Sequence, residues 1–219
     1  MTNQLYLSHI WRNRNSFGIT GSGAFIVVEG IDGSGKTTQV ELLVRRMEKK
    51  GLKAIKTSEP SEGPIGLSIR SLTSRISPHE EAHLFAKDRR YHVEHEIIPA
   101  LNAGTHVVSD RYLHSSLAYQ GARGASIERI LEWNKTIALK PDAIFFMEIP
   151  IDIALLRIKA GRNNSFSIYE TLEDLKAVDQ IYRSIKDPLI VRIDATRTIT
   201  QIHIAIVDEL CNRQIFQTL

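Results

Sequence analysis

The strongest constraint on the fold is a glycine-rich motif that follows a short apolar run. The run covers residues 24–28 and ends in Glu29, and the pattern G-x-x-x-x-G-K-[ST] then occupies residues 30–37. Glycines permit a turn in which several backbone N–H groups point at one centre, and a following helix adds the positive end of its dipole. The motif therefore predicts a strand, a phosphate-binding loop and a helix in succession.

The residues on either side support a nucleoside triphosphate as the ligand. Apolar residues from Val40 to Met47 are spaced as one face of a helix, and Gly51 is a stop signal. Lys36 is predicted to reach the β- and γ-phosphates, and the hydroxyl of Thr37 to hold Mg²⁺. The alternative is a glycine-rich turn that binds nothing, which the lysine, the threonine and the flanks together disfavour. The predicted ATP-binding residues are Gly30, Asp32, Gly33, Ser34, Gly35, Lys36, Thr37 and Thr38.

Strand-like and helical patterns alternate along the chain. Strand-like runs lie at residues 24–28, 53–57, 105–109, 143–149 and 189–193, and helical patterns at 80–103, 171–186 and 198–212. This alternation predicts a parallel sheet covered on both faces. The predicted class is α/β, as the three-layer fold of P-loop NTPases, with a five-stranded parallel sheet flanked by helices and a short lid. Residues 24–219 are predicted to form one domain.

The composition is that of a compact protein acting on small anionic ligands. The chain has 219 residues, of which 42% are hydrophobic and 24% charged, and its net charge is +3. No run approaches the length of a membrane span, and no block of lysine and arginine is interleaved with aromatics, so neither a membrane nor nucleic acid is the predicted partner. The single cysteine, Cys211, allows no internal disulfide and fits the cytoplasm, which is the predicted location.

Residues 1–23 do not match the rest of the chain. They are polar, end in Gly21-Ser22-Gly23 and lack the apolar core of a signal peptide. They could be an expression remnant, a misplaced start, or an arm that docks through Trp11 and its neighbouring arginines. We expect this extension to be poorly ordered.

Acidic residues follow several of the predicted strands, where ligands of a parallel sheet gather. Asp110, in Asp110-Arg111-Tyr112, is the predicted outer ligand of Mg²⁺, together with Thr37. The alternative is a structural ion pair between Asp110 and Arg111.

Three segments carry a resemblance to a known family. The stretches "FIVVEGIDGSGKTTQ", "LFAKDRR" and "DRYLHSSLAYQG" resemble those of thymidylate kinases, which pass the γ-phosphate of ATP to dTMP. The resemblance runs from about Phe25 to Asp194, and the third segment is far more specific than the phosphate loop. It implies a P-loop kinase domain, ATP and dTMP as partners, Mg²⁺ as cofactor and a homodimer.

The resemblance also implies residues for the acceptor phosphate. A nucleoside monophosphate has an anionic attacking oxygen, so cations and positioning must bring two polyanions together. Arg89 matches the family arginine that grips the acceptor phosphate, and Arg111 stands beside it in "DRY". Arg70 is a third candidate. The alternative for Arg70 and Arg89 is a solvated helix face.

The remaining acceptor residues come from the same segments. The resemblance places Asp32 close to the acceptor sugar and the metal. Helical spacing puts Ser115 and Tyr119 on one face. Tyr119 can lie where a ribose 2′-hydroxyl would collide, Ser115 or Gln120 can bond the pyrimidine edge, and Phe85 either stacks on the base or belongs to the core.

Two departures from the family concern positive charge. The variable positions of the phosphate loop, residues 32–34, contain no basic residue, so the catalytic cation is expected in the lid segment "KAGRNNSFSIYE", where Arg162 is the natural candidate. The segment 58–62 reads "SEPSE" where the family often has an arginine first, so one acceptor contact is lost. The predicted catalytic residues are Lys36, Asp32, Arg111 and Arg162. The predicted acceptor residues are Glu59, Arg70, Phe85, Arg89, Arg111, Ser115, Tyr119 and Gln120.

Three other functions are compatible with parts of the sequence. A deoxynucleoside kinase would need a general base, which Glu59 could supply. A regulatory nucleotide-binding protein would have lost phosphoryl transfer or altered its acceptor. The stretch "HEEAH" at residues 79–83 matches a zinc pattern, with His92 and His95 nearby, but such short patterns recur by chance and we do not expect a metalloprotease.

Overall fold

A computed structural model describes residues 4–161 and 172–219 of the chain. Within them, five parallel strands form one sheet in the order β3-β4-β2-β5-β7. These strands are β2 (Phe25–Glu29), β3 (Ala54–Ser58), β4 (His106–Asp110), β5 (Ala143–Glu148) and β7 (Ile190–Asp194). A second, two-stranded parallel sheet joins β1 (Leu5–Tyr6) to β6 (Ile185–Lys186). The predicted five-stranded α/β fold is confirmed.

Helices connect the strands, as parallel pairing requires. They are α1 (Lys36–Lys49), α2 (Pro64–Arg70), α3 (Pro78–His92), α4 (Ile98–Asn102), α5 (Leu113–Ala122), α6 (Ile127–Asn134), α7 (Ile151–Gly161), α8 (Leu172–Ser184) and α9 (Ile199–Asn212). A π-helical turn, Val93–Ile97, joins α3 to α4, so the long helical pattern at 80–103 is one rod with a local widening. Pro99 lies in the first turn of α4, directly after the π-helical turn.

The sheet aligns three strand ends that carry polar residues. Strand β2 is buried along its whole length, and its Val28 pairs with Asp110 of β4. Ser58 of β3 pairs with the same Asp110 on the other side. The segments that follow β2, β3 and β4 therefore start side by side at the carboxyl edge of the sheet, where a parallel fold places its ligands.

The extension at residues 4–23 packs against the domain, which differs from the expectation of poor order. Leu7, Ile10 and Ile19 are buried in the same hydrophobic core as β2 and β5. Arg12 makes a parallel bridge to Leu139, with its N–H 2.9 Å from the carbonyl oxygen of residue 138. The apolar residues are too sparse to show a helical or strand period, although tertiary contacts bury each of them.

Two further sequence predictions concern the lid and membranes. Arg162 and most of the predicted lid lie outside the described residues. Among the helices of residues 4–161 and 172–219, none is long and apolar enough to cross a bilayer.

Candidate active site

The glycine-rich loop between β2 and α1 has the backbone shape that phosphate binding needs. Gly33 has φ +78°, and a Cβ built there would lie 2.3 Å from the carbonyl oxygen of Ala154. Gly35 has φ +90° and precedes Lys36, the first residue of α1. Since the loop turns directly into α1, the free N–H groups of the first helical turn face the loop. The backbone at the predicted position thus has a shape that could bind an anion.

Lys36 points back into the loop. Its Nζ donates a hydrogen bond of 2.9 Å to the carbonyl oxygen of Ile31 and lies 3.9 Å from Oδ1 of Asp32. Only 5% of the residue is exposed. Burial lowers the pKa of Lys36, the Arg111 guanidinium lowers it further, and Asp110, Asp32 and Glu29 oppose the change. The ammonium group lies where it can move onto a phosphate by giving up one carbonyl.

The residues predicted to hold Mg²⁺ are in contact. The Thr37 hydroxyl donates a 2.6 Å hydrogen bond to Oδ2 of Asp110, the last residue of β4. Oδ1 of Asp110 is buried and has no hydrogen-bond partner among the described residues. A hydroxyl and a carboxylate oxygen are ligands suited to Mg²⁺, and the unpartnered Oδ1 has lone pairs to offer. The two side chains therefore fit the metal.

Arg111 lies at the centre of the site and joins the loop to α5. Its backbone has φ +75°, which turns the side chain away from the strand direction. The guanidinium forms an ion pair with Asp32, donates to Ser115 Oγ at 3.3 Å and lies 4.8 Å from the centre of the Tyr119 ring. Burial opposes its charge, but Asp32 and Tyr119 raise the pKa of Arg111 above its usual value. Arg111 therefore stays charged and pairs with Asp32.

Tyr119 completes the link between α5 and the phosphate loop. Its hydroxyl accepts a 3.1 Å hydrogen bond from the backbone N–H of Asp32 and lies 3.4 Å from Nη2 of Arg111. Burial raises the pKa of Tyr119, and Arg111 partly offsets this. The predicted pairing of Ser115 and Tyr119 on one helix face is found here, because both contact Arg111.

Glu29 is a site residue that was not predicted from the sequence. This carboxylate is 1% exposed and accepts from the N–H of Tyr112 at 2.8 Å, from the N–H and hydroxyl of Ser115 at 3.2 and 2.7 Å, and from the hydroxyl of Tyr182 at 2.9 Å. It therefore satisfies donors at the start of α5. The signal was present as an acid that ends an otherwise apolar strand.

Arg89 lies in a separate, fully buried network. Its guanidinium is bonded to Glu59 at 2.5 and 3.0 Å, to Asn134 at 2.7 Å and to Ser116 at 2.9 Å. The solvated helix face considered for Arg89 is wrong, since the residue is 0% exposed. The expected grip of Arg89 on the acceptor phosphate stays a prediction, and a phosphate could reach this guanidinium only by replacing one of these partners. Glu59 is also 3.3 Å from Nδ1 of His92, so its carboxylate is shared between two partners.

The other predicted acceptor residues are placed in different ways. Arg70, at the end of α2, donates to the carbonyls of Pro60 and Ser61 and lies 3.0 Å from Glu62, so it stabilises the loop after β3. Phe85 is partly buried on α3. Gln120 is buried, and its Oε1 has no partner in the part of the chain that the structure describes.

A cavity of about 320 Å³ opens on the other side of the phosphate loop. Its lining combines loop residues with α7 and the start of α9, and Arg197 and Ile199 were not predicted. The lining includes Ser34, Gly35, Thr38, Arg157, Arg197 and Ile199. Its position next to the loop suits the nucleoside of a bound triphosphate.

The histidines of the zinc-like pattern contact protein groups. His79 Nε2 accepts from the N–H of Ser126 at 3.2 Å, and the ring of His83 stacks on Trp133 at 4.9 Å. Within residues 4–161 and 172–219, no group of three or more histidine, cysteine or acidic side chains could hold a metal ion.

The chain matches a family of known proteins. The family model described as thymidylate kinase matches residues 28–206. The chain belongs to the thymidylate kinase family. It is therefore an ATP-dependent nucleoside monophosphate kinase, a phosphotransferase, and the family match includes the phosphate loop, Asp110, Arg111 and the start of α9.

Individual members of the thymidylate kinase family are similar over most of their length. A thymidylate kinase of Akkermansia muciniphila is 42% identical over 79% of this chain and 84% of its own. One of Desulfotalea psychrophila is 39% identical over 82% and 90%, and one of Brachyspira hyodysenteriae is 40% identical over 80% and 87%. The family model begins at residue 28, so the extension at residues 4–23 lies outside it.

Proposed function

We propose that this kinase transfers the γ-phosphate of ATP to dTMP and releases ADP and dTDP. The observation that carries the proposal is the contact of Arg111 with Asp32, Ser115 and Tyr119, which joins the phosphate loop to the "DRY…AYQG" helix. A cation at this junction faces donor and acceptor together. The names of the similar proteins support dTMP as the acceptor.

The donor side binds ATP through the loop. Backbone N–H groups of the loop and the first turn of α1 cradle the phosphates, Lys36 moves from Ile31 onto the β- and γ-phosphates, and the 320 Å³ cavity takes the nucleoside. The proposed donor residues are Gly30, Asp32, Gly33, Ser34, Gly35, Lys36, Thr37 and Thr38.

Mg²⁺ is proposed to be held on the Thr37 hydroxyl and on Asp110, whose Oδ1 has no protein partner among the described residues. When bound, the ion would neutralise charge on the β- and γ-phosphates. The Thr37 hydroxyl would offer its oxygen to the metal, and its hydrogen bond would still be accepted by Asp110.

Transfer requires no general base in this proposal. An oxygen of the acceptor phosphate forms a bond to the γ-phosphorus while the bond from that phosphorus to the bridging oxygen of ADP breaks. Arg111 places positive charge between the two anions, and Asp32 fixes the guanidinium. The other proposed acceptor residues are Glu59, Arg70, Phe85, Arg89, Ser115, Tyr119 and Gln120. Among them, Arg89 would reach the acceptor only by exchanging a protein partner for it.

Arg162 is proposed as the lid cation that stabilises the transferred phosphoryl group. Replacing it in Arg162→Ala is expected to lower kcat by about 10³-fold, as for other cations that act on this transition state. Arg129→Ala, an exposed arginine on α6, is the matched control. Single-turnover and steady-state rates with ATP would check this, and a kcat within about threefold of wild type would remove the assignment.

A panel of acceptors tests the proposed function against its alternatives. We expect the highest kcat/KM for dTMP, lower values for dUMP, UMP and CMP, and none for thymidine, with ADP release as the readout. Preferred phosphorylation of thymidine would instead support a deoxynucleoside kinase with Glu59 as base, although that carboxylate is paired with Arg89 and His92. ATP binding without transfer to any acceptor would support a regulatory protein. A homodimer in the cytoplasm stays part of the proposal, with family membership as its support.

A further inference from the structure

The N-terminal arm, residues 4–23, contacts the acceptor side of the kinase although the family model does not include it. Within the arm, Trp11 contacts the residues at the start of α5. Its ring is stacked on Tyr112 with 6.3 Å between centres and 8° between planes, and it lies 5.6 Å from the ring of His114. In the sequence, Tyr112 precedes the first residue of α5 and His114 is the second residue of that helix, so both lie between Arg111 and Ser115.

A buried carboxylate connects the same tryptophan to the segment after α8. The indole Nε1–H of Trp11 donates a 2.9 Å hydrogen bond to Oδ2 of Asp187, and the same oxygen lies 3.2 Å from Nε2 of His114. The residue before Asp187 is also bound by the arm, because the N–H of Leu7 donates at 3.1 Å to the carbonyl oxygen of Lys186. The arm therefore holds residues 186–187 against α5.

The end of α8 reaches the phosphate loop through two further hydrogen bonds. The Tyr182 hydroxyl donates to Glu29 at 2.9 Å and lies 2.9 Å from Ser115 Oγ. Glu29 immediately precedes the loop, and Ser115 accepts from Arg111. A displacement of α8 or of the first turn of α5 would thus move the group that is proposed to hold the acceptor phosphate.

Tyr112 has two further contacts, one at its ring and one at its hydroxyl. The guanidinium carbon of Arg89 lies 5.1 Å from the centre of its ring, and its hydroxyl accepts a 3.0 Å hydrogen bond from the N–H of Leu139. Leu139 is the residue that forms a bridge with Arg12 of the arm. Trp11 therefore contacts Tyr112 directly, whereas Arg12 is linked to it through Leu139.

We propose that the N-terminal arm is a brace that sets the acceptor site, with Trp11 as a positioning residue for Arg111 and Ser115. This inference rests on the proposed function, because it assumes that Arg111 holds the acceptor. It assigns to the arm a larger effect on the acceptor than on ATP, since Trp11 contacts the start of α5 and residue 187, whereas the proposed ATP cavity is lined by the phosphate loop, α7 and the start of α9.

The test compares Trp11→Ala and Trp11→Phe in the full chain with Asn102→Ala. Asn102 accepts from the N–H of Thr20 at 3.0 Å, so its loss frees the arm at α4 and leaves the contacts of Trp11 intact. We expect Trp11→Ala to raise KM for dTMP about tenfold with KM for ATP within about twofold, because such coupling is of this order. Trp11→Phe keeps the stacked ring and loses the indole donor, so it should raise KM for dTMP about threefold.

Amide hydrogen exchange on the same variants gives a readout that does not depend on activity. Faster exchange in residues 111–116 and 182–187 of both Trp11 variants, and unchanged exchange there in Asn102→Ala, would support the brace. Equal changes in the two KM values, or unchanged exchange in those residues, would overturn it. If wild type fails to phosphorylate dTMP, the proposed function fails, and the exchange data alone decide whether the arm positions α5.

Discussion

The donor and acceptor sides of this kinase are built in different ways. The phosphate-binding part of the donor side is one continuous stretch, residues 30–38, whose backbone turns at glycines and leads straight into α1. The acceptor side combines β2, the loop after β3, and helices α3, α5 and α8, and its charged groups already pair with one another. Arg111 pairs with Asp32, and Arg89 pairs with Glu59.

This difference has a consequence for how each side tolerates change. A loop that binds through backbone N–H groups depends on local conformation, so one side chain such as Lys36 carries most of its specific charge. A network of buried ion pairs depends on every partner, because removing one leaves the other charge buried and unpaired. The donor side should therefore fail at single residues, and the acceptor side should respond to residues that never touch a nucleotide.

Loss of the loop lysine would test the simpler side of this comparison. Lys36→Met is expected to lower kcat by about 10²–10³-fold, because the ammonium group stabilises charge on the transferred phosphate. Steady-state ADP release measures this, with Lys49→Met on the exposed face of the same helix as control. A variant that keeps wild-type kcat would show that the loop backbone alone is sufficient.

On the acceptor side, a variant that keeps the positive charge of residue 111 but changes the shape of its side chain is the sharper test. Arg111→Lys keeps a positive charge, but one ammonium group cannot hold Asp32, Ser115 and Tyr119 as the planar guanidinium does. We expect kcat/KM for dTMP to fall about tenfold to 10²-fold, with KM for ATP nearly unchanged. Arg213→Lys, in a partly exposed ion pair with Glu209 at the end of α9, is the control. Equal loss for both substrates would mean that Arg111 belongs to the donor side.

The smallest effect is expected in stability, at the carboxylate that connects the arm to α5. Burial alone would raise the pKa of Asp187, but its hydrogen bonds to His114, Leu189 and Trp11 and the charge of His114 lower it. Because the folded pKa is depressed, the stabilisation is complete above the unfolded pKa of about 3.9 and is lost as pH falls through the folded value.

Urea unfolding of wild type and Asp187→Asn tests this dependence of stability on pH. Wild type should be more stable by about 1–2 kcal/mol at pH 7, and the gap should close below about pH 3.9. Asp208→Asn, on the exposed side of α9, should change stability by less than about 0.5 kcal/mol. A gap that persists at low pH would mean that packing, and not the charge of Asp187, is responsible.

Local patterns were sufficient for much of the fold and for the donor loop. The bounds of the five strands lie within one residue of the predicted runs, because each is a short strand-like segment between helical patterns or turn signals. The contact of Thr37 with Asp110 needs β2 and β4 to be parallel neighbours. The alternation of elements predicted a parallel sheet, but not that these two strands pair. Glu29 was missed because an acid at the end of an apolar strand does not reveal its donors, Ser115 and Tyr182, which lie far away in the sequence.

The sequence by itself determined the phosphate loop, the parallel α/β class and the family, because each of these depends on residues close together in the chain or on a recurring motif. Only the tertiary structure decided the partners of Arg89 and the packing of the N-terminal arm. In both, the decisive contacts join residues far apart in sequence, as Trp11 and Asp187 do. A side chain that looks solvated in its own segment is buried when another segment supplies the matching charge or apolar surface.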